Sequence, residues 1–205
     1  MSRLGLWFQR DPKTLRLALH LLAALPLAWL ASVAVLDRLG ADPVAALTHE
    51  TGQWALRLLL ISLAMTPLRR LTRWAGWIRY RRMTGLWAFA YASLHLSVYV
   101  FLDLGDYWRQ VVEDVLKRPY ITLGASAWLL LLPLAATSTR WAMRLLGRRW
   151  LALHRLVYLA AILAVVHFIW LVKADLSEPL IYAAVLTCLL AIRLMPLPRF
   201  AKMSG

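Results

Sequence analysis

Three histidines lie inside apolar segments long enough to cross a membrane: His95 in one segment, and His154 and His167 in another. Hydrocarbon is a costly environment for a polar ring, so an intramembrane histidine is a candidate functional residue by default. Two such helices that face each other could hold an iron porphyrin, because haem iron binds imidazole and bis-histidine ligation suits electron transfer. A zinc or di-iron centre is a weaker interpretation, since no carboxylate accompanies the three rings.

The composition indicates a membrane protein. The 205 residues are 61% hydrophobic, whereas soluble proteins average roughly 45–50% apolar residues. The net charge of +14 does not indicate nucleic-acid binding, because the basic residues occupy short gaps between apolar segments. The one cysteine, Cys188, excludes a disulfide, a cysteine-ligated cluster and CxxCH haem attachment within one chain. Any haem would therefore be held non-covalently.

Six apolar segments have the length of about 20 residues that a membrane-spanning helix needs. We therefore expect an all-α polytopic protein, a bundle of six transmembrane helices that forms a single domain over residues 1–205. The first segment is expected to be a span, because it is too long for a cleavable signal peptide and lacks a small-residue cleavage pattern. No internal repeat is evident. The predicted spans are 15–36, 51–68, 83–103, 119–138, 150–172 and 178–196.

The distribution of positive charge predicts the orientation. Of the 24 Lys and Arg residues, seventeen fall on one side of the predicted spans and five on the other. The positive-inside rule then places both termini in the cytoplasm. The connection 104–118 lies on the outer side, where it could form a short amphipathic helix at the membrane interface. An ordinary connector and a docking surface for an outer partner are the alternatives for this segment.

Depth in the membrane separates the three histidines. At 1.5 Å per residue, His95 lies about 18 Å above the start of its span, His167 about 25 Å and His154 about 6 Å. This favours His95 and His167 as the axial pair of one haem, with His154 as a second or alternative ligand. On an ideal helix His154 and His167 are about 140° out of phase. Either span five is irregular, or the two rings face different partners.

Other polar residues near the spans have two interpretations each. Arg57 could pair with a haem propionate, or its side chain could snorkel outward. His20 could be an inner haem ligand or a structural hydrogen-bond donor, and His49 reads as a solvated loop residue. The run RRLTRWAGWIRYRR at 69–82 fits topology and interfacial anchoring, or a site for a flavin phosphate or an anionic partner. The arginines proposed for that site are Arg79, Arg81 and Arg82.

Six stretches of sequence carry a resemblance to a known family. The chain resembles the MsrQ family, the haem-binding membrane subunits of bacterial periplasmic methionine sulfoxide reductase systems, within the wider ferric-reductase-like transmembrane group. The stretches are GADPVAALTHETG at 40–52, LAMTPLRR at 63–70, RRMTGLWAFAYASLHLSVY at 81–99, RPYITLG at 118–124, ATSTRWAMRLLGRRWLALHRLVYLAAILAVVHFIW at 136–170 and EPLIYA at 178–183.

The resemblance implies an electron carrier in the bacterial inner membrane. It implies haem b between the third and fifth helices, with His95, His154 and His167 at the family's haem-associated positions. Electrons would come from a cytoplasmic NAD(P)H flavin reductase, through FMN, or from quinol. They would leave to a periplasmic molybdopterin-containing methionine sulfoxide reductase, so the chain would be an electron-transfer subunit that does not itself reduce the sulfoxide.

One departure from the wider group affects the haem count. Proteins of that group carry two histidines on the third helix, whereas the third span here has only His95. A second bis-histidine haem would therefore need an unusual ligand, and the count stays at one or two. A metal-ion reductase at the outer face, and a small transporter or scaffold with structural histidines, are the other functions considered. No GxGxxG motif or soluble nucleotide-binding domain is present in the sequence.

Overall fold

The computed structural model describes residues 12–105, 107–172 and 174–195. Within these ranges every regular element is helical, which agrees with the predicted all-α class. The two ends of the chain lie outside the described residues, so their cytoplasmic location stays a prediction. The helices are α1 (Pro12–Val35), α2 (Pro43–Thr72), α3 (Trp77–Ser97), α4 (Trp108–Lys117), α5 (Pro119–Ala136), α6 (Arg140–Leu146), α7 (Arg148–His154), α8 (Leu156–Leu171) and α9 (Ser177–Leu194).

Five helical segments among the described residues are long and apolar enough to cross a membrane, which makes this a multi-pass membrane protein. Helix α2, which contains the predicted span 51–68, is not one of them although it is 30 residues long. Charged and amide side chains near both of its ends lower its mean hydropathy. The five segments are Lys13–Val35, Trp77–Asp103, Pro119–Ala136, Arg148–Leu171 and Ser177–Leu194.

Two antiparallel helix pairs form the centre of the bundle, α2 with α3 and α5 with α8. Small residues allow the close approach that packing in a membrane requires. Ala160 and Ala161 of α8 have no exposed surface, and Ala88 of α3 is 1% exposed. Helix α9 packs against α2 and α8. The core thus consists of α2, α3, α5, α8 and α9, and α1 lies at its side.

Helix α1 makes few direct contacts with this core. Its carbonyl at Ala23 accepts a hydrogen bond from the Tyr91 hydroxyl at 2.8 Å, and His20 Nδ1 accepts one from the Trp87 indole at 2.9 Å. Between α1 and the α2–α3 pair lies an apolar crevice of about 1190 Å³. His20 is thus a hydrogen-bond acceptor at the bundle surface in this structure.

Local sequence explains where several helices begin and end. The Asp42 carboxylate caps α2 by accepting from the Ala45 amide at 2.9 Å, and Pro43 occupies the first helical position. Gly147, with φ of 48°, forms the turn between α6 and α7. The predicted fifth span is interrupted at Arg155, between α7 and α8. Arg155 keeps helical backbone angles, φ −71° and ψ −22°, and the rings of His154 and His167 face different partners, which is one of the two options left by their helical phase.

Candidate functional site

The rings of His95 and His167 face each other at one end of the bundle. His95 lies on the last turns of α3 and His167 on the last turns of α8. Their ring centres are 6.4 Å apart and their planes are inclined at 76°. The structure therefore brings together the two histidines that the depth estimate paired. Directly after α3 the chain continues as a π-helical turn, Val98–Asp103, a feature often found at functional sites.

Each of these imidazoles is held by a backbone carbonyl of the partner helix in its pair. His95 Nδ1–H donates to the carbonyl of Thr48 at 2.8 Å, and His167 Nδ1–H donates to that of Tyr120 at 2.6 Å. A carbonyl can only accept, so the proton is on Nδ1 in both rings. Nε2 is then left as the unprotonated nitrogen, which is the form in which a histidine binds a metal.

A glycine lies against each ring, one helical turn after the carbonyl that holds it. A Cβ at Gly52 would lie 3.0 Å from His95 Nδ1, and a Cβ at Gly124 would lie 3.0 Å from His167 Nδ1. Both distances are shorter than an ordinary van der Waals contact. Glycine at these positions therefore lets the imidazole lie flat against the backbone of the neighbouring helix.

These two arrangements are copies of one pattern, which corrects the expectation of no internal repeat. The carbonyl and the histidine are 47 residues apart in both cases. Each glycine follows its carbonyl residue by four positions. The α2–α3 and α5–α8 pairs thus present equivalent histidines from opposite sides. Sequence reasoning missed Thr48, Gly52, Tyr120 and Gly124, because neither a backbone carbonyl nor a glycine reveals which ring lies against it.

The spacing of the two rings fits a shared metal. An imidazole nitrogen lies about 2.0–2.1 Å from a bound metal, so two imidazoles on opposite sides of one metal have ring centres roughly 6 Å apart. The 6.4 Å between His95 and His167 matches this value. The carbonyl bonds fix the tautomer of both rings, so both Nε2 atoms are in the form that could bind a metal.

His154 is not part of this pair. It lies 13 residues before His167, roughly 20 Å along the helix axis, near the opposite end of the bundle. Its Nδ1 hydrogen-bonds the carbonyl of Trp150 in its own helix at 3.1 Å, and its ring stacks on that indole at 3.8 Å. Its Nε2 is buried and makes no hydrogen bond of good geometry among the described residues, and the backbone of Leu134 also interacts with the ring.

Arg57 belongs to a polar cluster at the His95–His167 end. Its Nε donates to the Tyr182 hydroxyl at 2.8 Å, and its Nη2 donates to Gln53 Oε1. Glu178 Oε1 accepts from Gln53 at 2.6 Å and lies 3.8 Å from Arg57 Nη2. These contacts join α2 to α9. They occupy the guanidinium with protein partners, while the Arg57 side chain remains 34% exposed.

The three arginines considered for a flavin phosphate lie at the opposite end, at the start of α3. Arg79 and Arg82 are exposed and Arg81 is half-buried. Their arrangement fits both interpretations, interfacial anchoring and binding of an anion. His49 lies beside the site, with its ring 6.3 Å from that of Phe168.

Comparison with known proteins identifies related sequences along most of the chain. A family model described as "ferric reductase like transmembrane component" matches residues 51–165. A protein-methionine-sulfoxide reductase heme-binding subunit MsrQ from Xanthomonas campestris pv. campestris (strain 8004) is 60% identical over 157 residues, 77% of this chain and 72% of the relative. The subunit of that name from Rhodospirillum rubrum is 52% identical over 185 residues, 90% of this chain and 89% of the relative. No solved structure matches the chain significantly.

Proposed function

Because this chain belongs to the MsrQ family, and to the larger group with a ferric-reductase-like transmembrane component, we propose that it is a haem-binding electron carrier of a membrane. In this proposal it passes electrons to a protein-methionine-sulfoxide reductase, the enzyme of which its relatives are named as subunits. The enzyme would repair oxidised proteins, and the chain itself would not bind the sulfoxide.

The observation that carries this proposal is the facing pair His95 and His167, with ring centres 6.4 Å apart. A b-type haem supplies one-electron iron chemistry when it is bound. The two histidines would hold its iron from opposite sides, which leaves no coordination position for a substrate. That arrangement favours electron relay over catalysis at the iron.

The neighbouring residues would tune and shape this site. The carbonyls of Thr48 and Tyr120 hold the Nδ1 protons, and such outer partners raise the basicity of a metal-ligating imidazole. Gly52 and Gly124 keep both rings close to their helices. Arg57 is proposed to pair with a haem propionate. In that role its guanidinium would give up some of its contacts with Gln53, Glu178 and Tyr182.

His154 is proposed as the ligand of a second site or as an alternative ligand. Support comes from its buried Nε2, which makes no hydrogen bond of good geometry in the described part of the chain. When the two helix pairs are aligned so that His95 matches His167, the residue that matches His154 is Arg82. A second haem would therefore lack a matching histidine from α3.

The remaining elements of the proposal concern topology and partners. We propose that α2 is a sixth membrane crossing, that both termini are cytoplasmic and that the membrane is the bacterial inner membrane. The electron donor is a cytoplasmic NAD(P)H flavin reductase acting through FMN, or quinol, with Arg79, Arg81 and Arg82 as the candidate flavin-phosphate site. The acceptor is a periplasmic molybdopterin-containing subunit.

Electron delivery can be tested with the purified chain in nanodiscs. We expect a reduced-minus-oxidised absorbance spectrum with the bands of haem b. After reduction with limiting dithionite, the reduced bands should decay only when the purified sulfoxide reductase subunit and methionine sulfoxide are both added. Omission of either component is the control. Bands that persist in the presence of both would contradict the assigned acceptor.

A metal-ion reductase is the second candidate, because the matching family model is described as ferric reductase like. It predicts that the reduced bands decay when a ferric chelate is added without any protein partner. Decay with the chelate at a rate that matches or exceeds decay with the sulfoxide reductase subunit would favour this alternative. A purified chain without haem bands would instead favour a transporter or scaffold.

A further inference from the structure

Helix α4 lies beside the ends of α3 and α5 and has three distinct faces. One face is fixed to the bundle through Asp114, which is 6% exposed. Asp114 accepts from the Tyr99 hydroxyl at 2.7 Å and pairs with Arg118 at 3.2 Å. The carbonyl of Val115 accepts from the hydroxyl of Thr122 on α5. These bonds settle which side of α4 faces the protein.

A second face is apolar and largely exposed among the described residues. Trp108, Val112 and Leu116 recur every four residues, so they lie in one row along the helix. They are 61%, 58% and 79% exposed. A contiguous row of large exposed apolar side chains marks a surface that contacts something other than water.

The apolar row lies beside exposed apolar residues of a membrane-crossing segment. Trp108 packs edge-to-face on Phe101 at 6.2 Å. Phe101 and its neighbour Leu102 belong to the membrane-crossing segment Trp77–Asp103, and both are more than half exposed. Exposed apolar residues of a membrane-crossing helix face lipid. The apolar row of α4 therefore adjoins, at Phe101, the lipid-facing surface of the membrane-crossing segment Trp77–Asp103.

The third face of α4 is charged. Glu113 lies 3.5 Å from Arg109 and 3.1 Å from Lys117, so the three side chains form a row of ion pairs beside the apolar row. A helix with adjacent apolar and charged faces lies in the plane of the membrane interface, with the apolar side among the acyl chains. A tryptophan at its first position suits this depth.

We propose that α4 is a membrane-surface helix whose row Trp108–Val112–Leu116 is embedded in the lipid bilayer. The occupant of the apolar face is lipid, in preference to a second copy of the chain or a partner protein. This proposal does not depend on haem binding or on the assigned electron acceptor.

The position of α4 also has a consequence for the candidate site. Through Asp114 and Tyr99 it is joined to the segment that follows His95. Through Val115 and Thr122 it is joined to the first turn of α5, where the carbonyl of Tyr120 holds His167. A helix seated in the bilayer thus ties together the ends of the two ligand-bearing helix pairs.

Site-directed spin labelling of the full chain tests the proposal. In a Cys188→Ser background, nitroxides are attached at Val112→Cys and Leu116→Cys on the apolar row, and at Glu113→Cys and Lys117→Cys as matched neighbours. The protein is placed in nanodiscs of phosphatidylcholine and phosphatidylglycerol. Collision rates with oxygen, which concentrates in lipid, and with a water-soluble nickel chelate are then measured by electron paramagnetic resonance.

We expect the oxygen-to-nickel ratio to be several-fold higher at positions 112 and 116 than at positions 113 and 117. Equal, water-like ratios at all four positions would show that α4 lies in solvent and would overturn the proposal. Protection of positions 112 and 116 from both reagents would show that protein covers the row, and would also overturn it. Haem content does not enter this measurement, so its failure is distinguishable from failure of the proposed function.

Discussion

His95→Ala and His167→Ala are each expected to lower haem retention by more than about 100-fold, since loss of even an outer partner of a metal ligand costs roughly 10–100-fold. The two imidazoles face each other at 6.4 Å, so each variant leaves only one ring of the pair. The measurement is the ratio of haem to protein after purification, with circular dichroism to confirm that the variants remain helical.

His154→Ala is the matched comparison, because this residue lies on the same membrane-crossing segment but at the other end. It should retain the haem held by His95 and His167. Added imidazole should restore the low-spin spectrum of His95→Ala and His167→Ala by filling the space left by the side chain. If His154→Ala lost all haem while His167→Ala kept it, the assigned pair would be wrong.

Gly52→Ala and Gly124→Ala are expected to weaken haem binding without removing a ligand. The new Cβ would lie 3.0 Å from a ring atom of His95 or His167, and the ring cannot turn freely because a carbonyl holds its Nδ1. Displacing a side chain by about 30° from its rotamer costs about 1 kcal/mol, which is roughly fivefold in affinity. The double variant should lose roughly 30-fold if the two costs add.

Gly85→Ala controls for the general effect of alanine in a helix, because its Cβ would meet only the Ser62 hydroxyl, at 3.3 Å. It should keep wild-type haem affinity. Haem transfer to apomyoglobin gives the relative affinities, and the midpoint potential reports the displaced ligand. Wild-type affinity and potential in the double variant would mean that the glycines do not position the rings.

Much of the fold could be predicted from the sequence, because hydrocarbon requires long apolar helices. Each of the six predicted spans overlaps helical residues in the part of the chain that the structure describes. The difference concerns α2, where Gln53, Arg57 and other polar groups lower the mean hydropathy. Those side chains contact one another and α9, so the polar residues form a cluster between helices that hydropathy alone cannot reveal.

The histidine pair could be anticipated from depth, but its surroundings could not. The hydrogen bonds from His95 and His167 reach carbonyls 47 residues earlier. Every residue has a backbone carbonyl, so residue types do not reveal which carbonyls accept these bonds. In the sequence Gly52 and Gly124 do not differ from other glycines, and only the structure shows that an imidazole ring lies against each. The different surroundings of His154 and His167 likewise depend on tertiary packing, which the 3.6-residue period does not encode.

The most direct test of the assigned haem site is the identity of the axial ligands in the wild-type protein. Magnetic circular dichroism of the oxidised chain in the near infrared reports the ligand pair of a low-spin ferric haem through its charge-transfer band. With His95 and His167 as ligands, we expect the band of a bis-imidazole haem, lost in both alanine variants and kept in His154→Ala. A high-spin spectrum with an open coordination position, or a band from any other ligand pair, would contradict this assignment.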